Sequence, residues 1–370
     1  MKGLKKKISL LLAVASIATS SFNSSANELE ISLTEYIVKN TEASITQNPA
    51  QFIIDTDFSS DVDDALAIST AMYYQDMKMI NVKGVALCCT STRSAHAMSA
   101  LMGQHKYWDI PIACSVKTGI PISSSYHLGM TTYPHKTEYF SDVVNFYRMM
   151  LASSPEKINI VVLGQITNLD YLLKSQPDVH STLNGYELVA EKVDTIYFVG
   201  GKSDGRLENN IFYCGSNSVP NQYHGTTRIA EAAKNVANTA PCRMVWMEAD
   251  IVGSFSVGGF LEKTDRKSED ILTKALKDFG TSWGSASFDP FGIHIAALDA
   301  NGLLTENMME LQTGTMRVNL NGTSYFTLND PARNHFRVEK LANDGYYQSE
   351  INKALAYEYT KRSGNKDIRY

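Results

Sequence analysis

Five aspartates stand within ten residues in the stretch Asp55-Thr56-Asp57-Phe58-Ser59-Ser60-Asp61-Val62-Asp63-Asp64. Carboxylates crowded in this way repel one another unless a cation sits among them or some keep their protons. Three chemistries compete for the pattern. An EF-hand calcium loop would place Asp55, Asp57, Ser59 and Asp61 at alternate ligand positions, but it also needs a glycine and a late glutamate where this chain has Ser60 and Leu66. An aspartyl phosphatase would use Asp55 and Asp57 as its reactive pair. It leaves Asp61, Asp63 and Asp64 unexplained and has only Lys202-Ser203-Asp204 as a loose partner. A hard-cation site uses most of the acids: Asp57 at a strand tip, with Asp63 and Asp64 in the first turn of a helix, can share one Ca²⁺ through oxygen. The helix N-terminus adds favourable partial positive charge there. A cation so held makes a neighbouring water more acidic, and an adjacent carboxylate can take its proton. Helix capping accounts for one or two acids, not five.

Such acids need a scaffold to bring them together. Short apolar runs read as buried strands at 52–54, 80–88, 158–163, 194–200 and 243–247. Helical patterns fall between them at 64–75, 93–107, 138–152, 168–174, 226–239 and 268–279. Strands alternating with helices predict an open, mostly parallel, Rossmann-like α/β sheet with helices on both faces. Residues 316–328 predict a C-terminal β-hairpin turning at Asn321-Gly322, and a last helix covers 346–361. Ligands of such sheets bind beyond the carboxyl ends of the strands. The aspartates, the turn Leu163-Gly164-Gln165-Ile166-Thr167-Asn168 and the pair Gly200-Gly201 all follow strand ends, so three loops converge on one edge.

The chain of 370 residues is 44% hydrophobic and 20% charged, ample for a sizeable core. Residues 1–26 read as a signal peptide: Lys2, Lys5, Lys6 and Lys7 precede an apolar run, and Ser24-Ser25-Ala26 offers small residues for cleavage. Residues 27–49 form a lead-in and 50–370 a single α/β domain. An exported protein, periplasmic or secreted, is expected, with no membrane attachment after cleavage. Losing those four lysines moves the formal charge from −5 to −9, which disfavours nucleic acid as a partner. Cys88, Cys89, Cys114, Cys214 and Cys242 show no C-x-x-C spacing, so no thiolate metal site is expected. Cys88 and Cys89, at the end of an apolar run, read as small core residues. A homo-oligomer stays open.

The stretch Asp55 to Ala67 resembles the D-x-D-P-G-x-D-D-A-x-A signature of the inosine/uridine-preferring nucleoside hydrolases, in the form that carries two extra residues before the aspartate pair. Further pieces are similar in order and spacing over about residues 50 to 350. Leu163-Gly164-Gln165-Ile166-Thr167-Asn168 resembles the family's G-P-L-T-N turn, and Val199-Gly200-Gly201 its M-G-G strand end. Glu231-Ala232-Ala233 resembles part of its D-P-E-A-A helix start, and Phe288-Asp289-Pro290 its H-D-P segment. The resemblance implies the nucleoside hydrolase fold and Ca²⁺-dependent hydrolysis of a ribonucleoside or related N-ribosyl compound. Asp57 would be metal ligand and general base, with Asp64, Thr167 and Asp289 as further ligands. Asp63, Ser91, Asn168 and Asn221 would contact the substrate, and Asp55 would hold the loop. Carboxylates suit this reaction independently, because N-glycosidic cleavage develops positive charge on the sugar.

The chain also departs from the family pattern. Phe58-Ser59-Ser60 replaces Pro-Gly, and Phe288 replaces a histidine that helps protonate the leaving base of purine-cleaving members. His127, His224, His294 and Tyr223 are candidates to replace it. The E-x-N ribose clamp is not recognised in 214–227, where Asn217 and Asn221 stand without an acid. Tyr126, Tyr133 and Tyr213 are candidates to stack on a base, and the segments 123–140 and 202–227 to form lids. Two further readings compete with the hydrolase: a calcium-containing binding protein that has lost turnover, and the phosphatase.

Overall fold

The computed structural model describes residues 48–58, 61–212 and 227–365. The expected signal peptide at 1–26, Cys214, Asn217, Asn221, Tyr213, Tyr223 and His224 lie outside the described residues. The strands are β1 (Ala50–Thr56), β2 (Ile80–Leu87), β3 (Ile112–Cys114), β4 (Ile158–Val162), β5 (Val193–Val199) and β6 (Asp204–Leu207). Then come β7 (Arg243–Met247), β8 (Ser256–Gly258), β9 (Gly284–Ala286), β10 (Met309–Val318), β11 (Thr323–Leu328) and β12 (His335–Lys340). The helices are α1 (Asp63–Asp76), α2 (Thr92–Gln104), α3 (Tyr126–Met130), α4 (Val143–Ser153), α5 (Thr167–Leu173), α6 (Gly185–Lys192) and α7 (Asn209–Phe212). After them come α8 (Thr227–Thr239), α9 (Ala249–Val252), α10 (Phe260–Thr264), α11 (Ile271–Phe279), α12 (Phe288–Asp299) and α13 (Asp344–Ser363).

Ten strands form one sheet in the order β3-β2-β1-β4-β5-β7-β12-β10-β11-β6, and β8 and β9 pair separately. Neighbours from β3 to β12 run parallel, and the last three pairings are antiparallel. The hairpin forms as its Asn-Gly pair predicts, with Gly322 in the left-handed region at φ +81°.

Alternation along the strands sorts the core into two layers. Phe52 and Ile54 of β1, Tyr197 and Val199 of β5, and Val245 and Met247 of β7 pack on one face, under α1, α2, α11, α12 and α13. Ile53, Ile196, Phe198, Met244 and Trp246 face the other way, under α4, α5, α6 and part of α8. A side-chain period of two with both faces covered explains why these strands read as continuous apolar runs. β1 lies between β2 and β4, with Asp55 in register with Ala86 on one side and Val162 on the other. The acidic loop therefore leaves the middle of the parallel sheet at its carboxyl edge. Among the described residues no helix is long and apolar enough to cross a membrane. Cys88, Cys89, Cys114 and Cys242 are free thiols, the first three buried in the core.

Candidate active site

The acids take up unequal positions around the tip of β1. Asp55 is still in the strand and is buried on the α4 side, where the Tyr147 hydroxyl donates to it at 2.7 Å and the Asn168 amide at 3.0 Å. Burial raises its carboxyl to about 7, against the lowering pull of those two bonds. Asn168 is held in turn by the Ser115 hydroxyl, which donates to its carbonyl at 2.6 Å. Its side chain, expected against substrate, is thus spent on Asp55 and Ser115.

Thr56 points to the opposite face. Its hydroxyl donates to Asp64 Oδ1, which also accepts from the Phe58 amide at 3.2 Å. Asp57 follows and accepts from the Gln165 amide at 3.3 Å. Gly164 makes this approach of two loops feasible, because a Cβ there would lie 2.6 Å from the Asp57 nitrogen. Helix α1 then starts at Asp63, and its N-cap Val62 contributes no side-chain hydrogen bond. Capping is therefore not what the acids do. Asp289 enters from the first turn of α12, and its amide donates to Asp63 Oδ2 at 3.4 Å.

Asp57, Asp63, Asp64 and Asp289 are each at least 96% buried, and the main charges acting on them are one another's and that of Asp61, with Cys89 also acting on Asp57. Burial first, then these charges, pushes Asp57, Asp63 and Asp289 well above the carboxylate range. Asp64 rises to about 6, from burial and the Asp61 charge, with Thr56, Asp289 and Asp57 pulling it back. Asp63 Oδ1 and Asp64 Oδ2 are buried with no hydrogen-bond partner among the described residues. Oxygens of Asp61, Asp63 and Asp64 lie within 4.8 Å of one another. Clustered, desolvated carboxylates with orphaned oxygens and no lysine or arginine among the charges named above fit a hard divalent cation. Asp61, which the sequence left without a role, belongs to this set.

The remaining expected residues gather on the same edge. Thr167 begins α5 just beyond β4 and is buried, its hydroxyl unpartnered among the described residues. Ser91 follows β2 and caps α2, its hydroxyl accepting from Ser94 N at 3.2 Å. Phe288 lies beside Asp289, its ring pressed so close to Gly253 that a Cβ there would lie 2.0 Å away. His127 is buried with its ring stacked on Phe58 at 5.0 Å, and burial lowers its imidazole to about 3. His294 is buried beside the Tyr74 hydroxyl at 2.5 Å, and burial lowers it to about 4. Both rings are neutral near pH 7 and carry no extra proton to give. Tyr133 is occupied by the Glu269 carbonyl at 2.9 Å. Lys202, the lysine the phosphatase reading needs, pairs with Asp250 at 3.0 Å.

A pair missed in the sequence is Glu208 and Asn210, which stand at the E-x-N spacing sought further along, in 214–227. The Glu208 carboxylate accepts from Gly201 N at 3.1 Å, Asn210 N at 3.0 Å and Ile211 N at 3.2 Å. The Asn210 amide donates to the carbonyls of Val199 at 2.8 Å and Leu163 at 3.0 Å, tying the tips of β5 and β4 together. Gln165 bridges this pair to Asp57 through Asn210 Oδ1 at 3.4 Å. The signal was available as Glu208-Asn209-Asn210, separated from the Gly-Gly strand end by six residues and just after β6.

Solved structures share the fold. A plant nucleoside hydrolase is 18% identical at a TM-score of 0.60, with 83% of this chain and 99% of that one covered. A purine-preferring ribonucleoside hydrolase from Gardnerella vaginalis is 15% identical at 0.60, covering 83% and 98%. The inosine-uridine preferring enzyme from Bacillus anthracis is 13% identical at 0.59, covering 83% and 99%. No curated protein matches the chain. The family profile for inosine-uridine preferring nucleoside hydrolases matches residues 52–324, a span that runs from β1 and its acids through Asp289 to the hairpin. With that span covering most of its length, the chain belongs to the inosine-uridine preferring nucleoside hydrolase family, and so to the N-ribosyl hydrolases.

Proposed function

We propose that the protein hydrolyses the N-glycosidic bond of a ribonucleoside with calcium held by Asp57, Asp64, Asp289 and Thr167. The observation that carries this is the buried acid set with its two orphaned oxygens. Calcium supplies the positive charge that lets these carboxylates ionise together, and it acidifies a water beside it. Asp57, at the strand tip, takes the proton of the attacking water. Asp63 accepts from the ribose 2′-hydroxyl and orients the anomeric carbon. Asp55, held by Tyr147 and Asn168, fixes the strand end behind them. Gln165 and Asn210 steady Asp57 from the neighbouring loops. Phe288 offers the leaving base an aromatic face and no proton. Export through residues 1–26 is part of this reading, and N-terminal sequencing of the mature protein from its host checks it.

The deciding experiment is a panel of ribonucleosides assayed for released ribose, with and without a calcium chelator. Release from inosine, uridine or a related nucleoside is expected, abolished by chelation and lowered at least about 10³-fold by Asp57→Ala. Calcium binding without any release would favour the binding protein instead. Phe288 gives no proton and neither described candidate histidine carries a spare one, so a nitrophenyl riboside, whose leaving group needs none, should be cleaved faster than the nucleosides. Equal rates would argue that a proton donor is in place.

A further inference from the structure

One buried polar group beside the acids has no part in the chemistry above. Tyr126 opens the one-turn helix α3 and is fully buried. Its ring is held edge-on by Phe58 at 6.2 Å, His127 at 4.3 Å and Phe279 at 6.0 Å. Packing of this kind leaves the ring little freedom, so its hydroxyl has a set direction. The hydroxyl has no hydrogen-bond partner among the described residues. Phe58, whose ring that of Tyr126 meets, directly follows Asp57 and donates its amide to Asp64. Tyr126 therefore packs on the turn of the acidic loop, where the carboxylates of Asp64, Asp61, Asp57 and Asp63 act on its hydroxyl. Burial first, and then these charges, holds the phenol well above its ordinary value, and it keeps its proton as a donor.

Leaving a buried hydroxyl unbonded is costly, and a phenylalanine in the same space would avoid that cost. We propose that Tyr126 is a substrate-contacting residue whose hydroxyl donates a hydrogen bond to a sugar oxygen held over Asp57, Asp63 and Asp64. The inference rests on the N-ribosyl reading. A sugar hydroxyl both donates and accepts, whereas an ionised carboxylate only accepts. The aspartates therefore take the sugar's protons and leave its oxygen lone pairs needing a donor. A neutral phenol meets that need without adding charge to the set.

The test is Tyr126→Phe, with ribose and its 2-, 3- and 5-deoxy forms titrated by thermal shift in calcium, alongside KM and kcat for the nucleosides. Without sugar, the variant should melt at or above the wild-type temperature. Ribose binding should weaken about 10-fold or more, at about 1.4 kcal/mol per tenfold. The loss should fall below about 3-fold for the deoxy sugar that lacks the contacted oxygen. A KM increase larger than the kcat decrease is expected on nucleosides. An equal loss on every sugar, no loss on any, or a melting temperature several degrees lower without sugar overturns the proposal. If the wild type binds ribose but cleaves no nucleoside, the hydrolase reading fails while the sugar titration still decides Tyr126. Failure of the wild type to bind any of these sugars overturns the Tyr126 proposal, while ribose release from the nucleosides still decides the hydrolase reading.

Discussion

Phe58 sets side-chain packing against backbone preference. It adopts φ +37°, in the left-handed region that disfavours residues with a Cβ, in the turn that replaces the family's Pro-Gly. That strain costs about 1–3 kcal/mol. Its ring is fully buried between Tyr126 and His127, and removing a buried Phe ring costs about 3–5 kcal/mol. Burial therefore wins, and Phe58→Gly should lower the melting temperature by several degrees in chelator despite relaxing the turn. A rise would show that backbone strain dominates. At this scale the acids were legible because crowded charge demands an explanation that few residues can give. Asn168 was only half legible: the turn motif placed it on the right edge, but nothing in one sequence says that its amide is spent on Asp55. Glu208 and Asn210 were missed because the clamp was sought too close to the Glu231-Ala232-Ala233 helix.

Helix α13 returns the end of the chain to the back of the helix that carries Asp63 and Asp64. Its Arg362 donates to Ser69 of α1 at 3.1 Å and to Asp270 at 2.6 Å, and Lys361 pairs with Asp76 at 2.5 Å. His105, just after α2, lies between Arg362 and Glu358, with its Nδ1 2.6 Å from the Glu358 carboxylate. Arg362 can only donate, so His105 Nε2 accepts and the ring proton sits on Nδ1, toward Glu358. Burial raises Glu358 to about 8, above its ordinary 4.5. The folded state therefore keeps a proton that the unfolded chain loses, and this group's contribution to stability falls as pH rises from about 4.5 to 8. Glu358→Gln should flatten the fall in melting temperature across that window, measured by scanning calorimetry in matched buffers. An unchanged slope would place the titration elsewhere. Five of the parallel strands and most of the long helices were legible from their apolar runs, but α12, which carries Asp289, was not among the predicted helices. Neither was β12, because His335-Phe336-Arg337-Val338-Glu339-Lys340 is polar for an interior strand, and its Arg337 is matched by Gln312 on β10 and by Ser203 in the loop before β6. β3 is three residues long and gives no periodicity at all.

For the molecule as a whole, the acid set makes stability depend on what binds it. A ligand at 100 times its dissociation constant stabilises by about 2.7 kcal/mol, so calcium should raise the melting temperature by several degrees and chelator should reverse it. Asp64→Asn should do two opposite things: raise or preserve the melting temperature in chelator, by removing one desolvated charge, and abolish the rise on adding calcium. If calcium stabilises that variant as well as the wild type, the ion binds elsewhere. The two borders of the ten-stranded sheet bear on a different question. At one border β3 has only three residues and is bridged on its outer side by Phe140. At the other, β6 exposes Asp204 and Arg206, paired with each other at 2.7 Å, around Gly205 at φ +84°. A short, covered rim and a short, charged, twisted one both resist pairing with another chain. Copies of this protein should therefore not extend the sheet from one subunit into the next, and any assembly they form should rest on helices or loops, leaving the sheet's carboxyl edge free for traffic of small molecules.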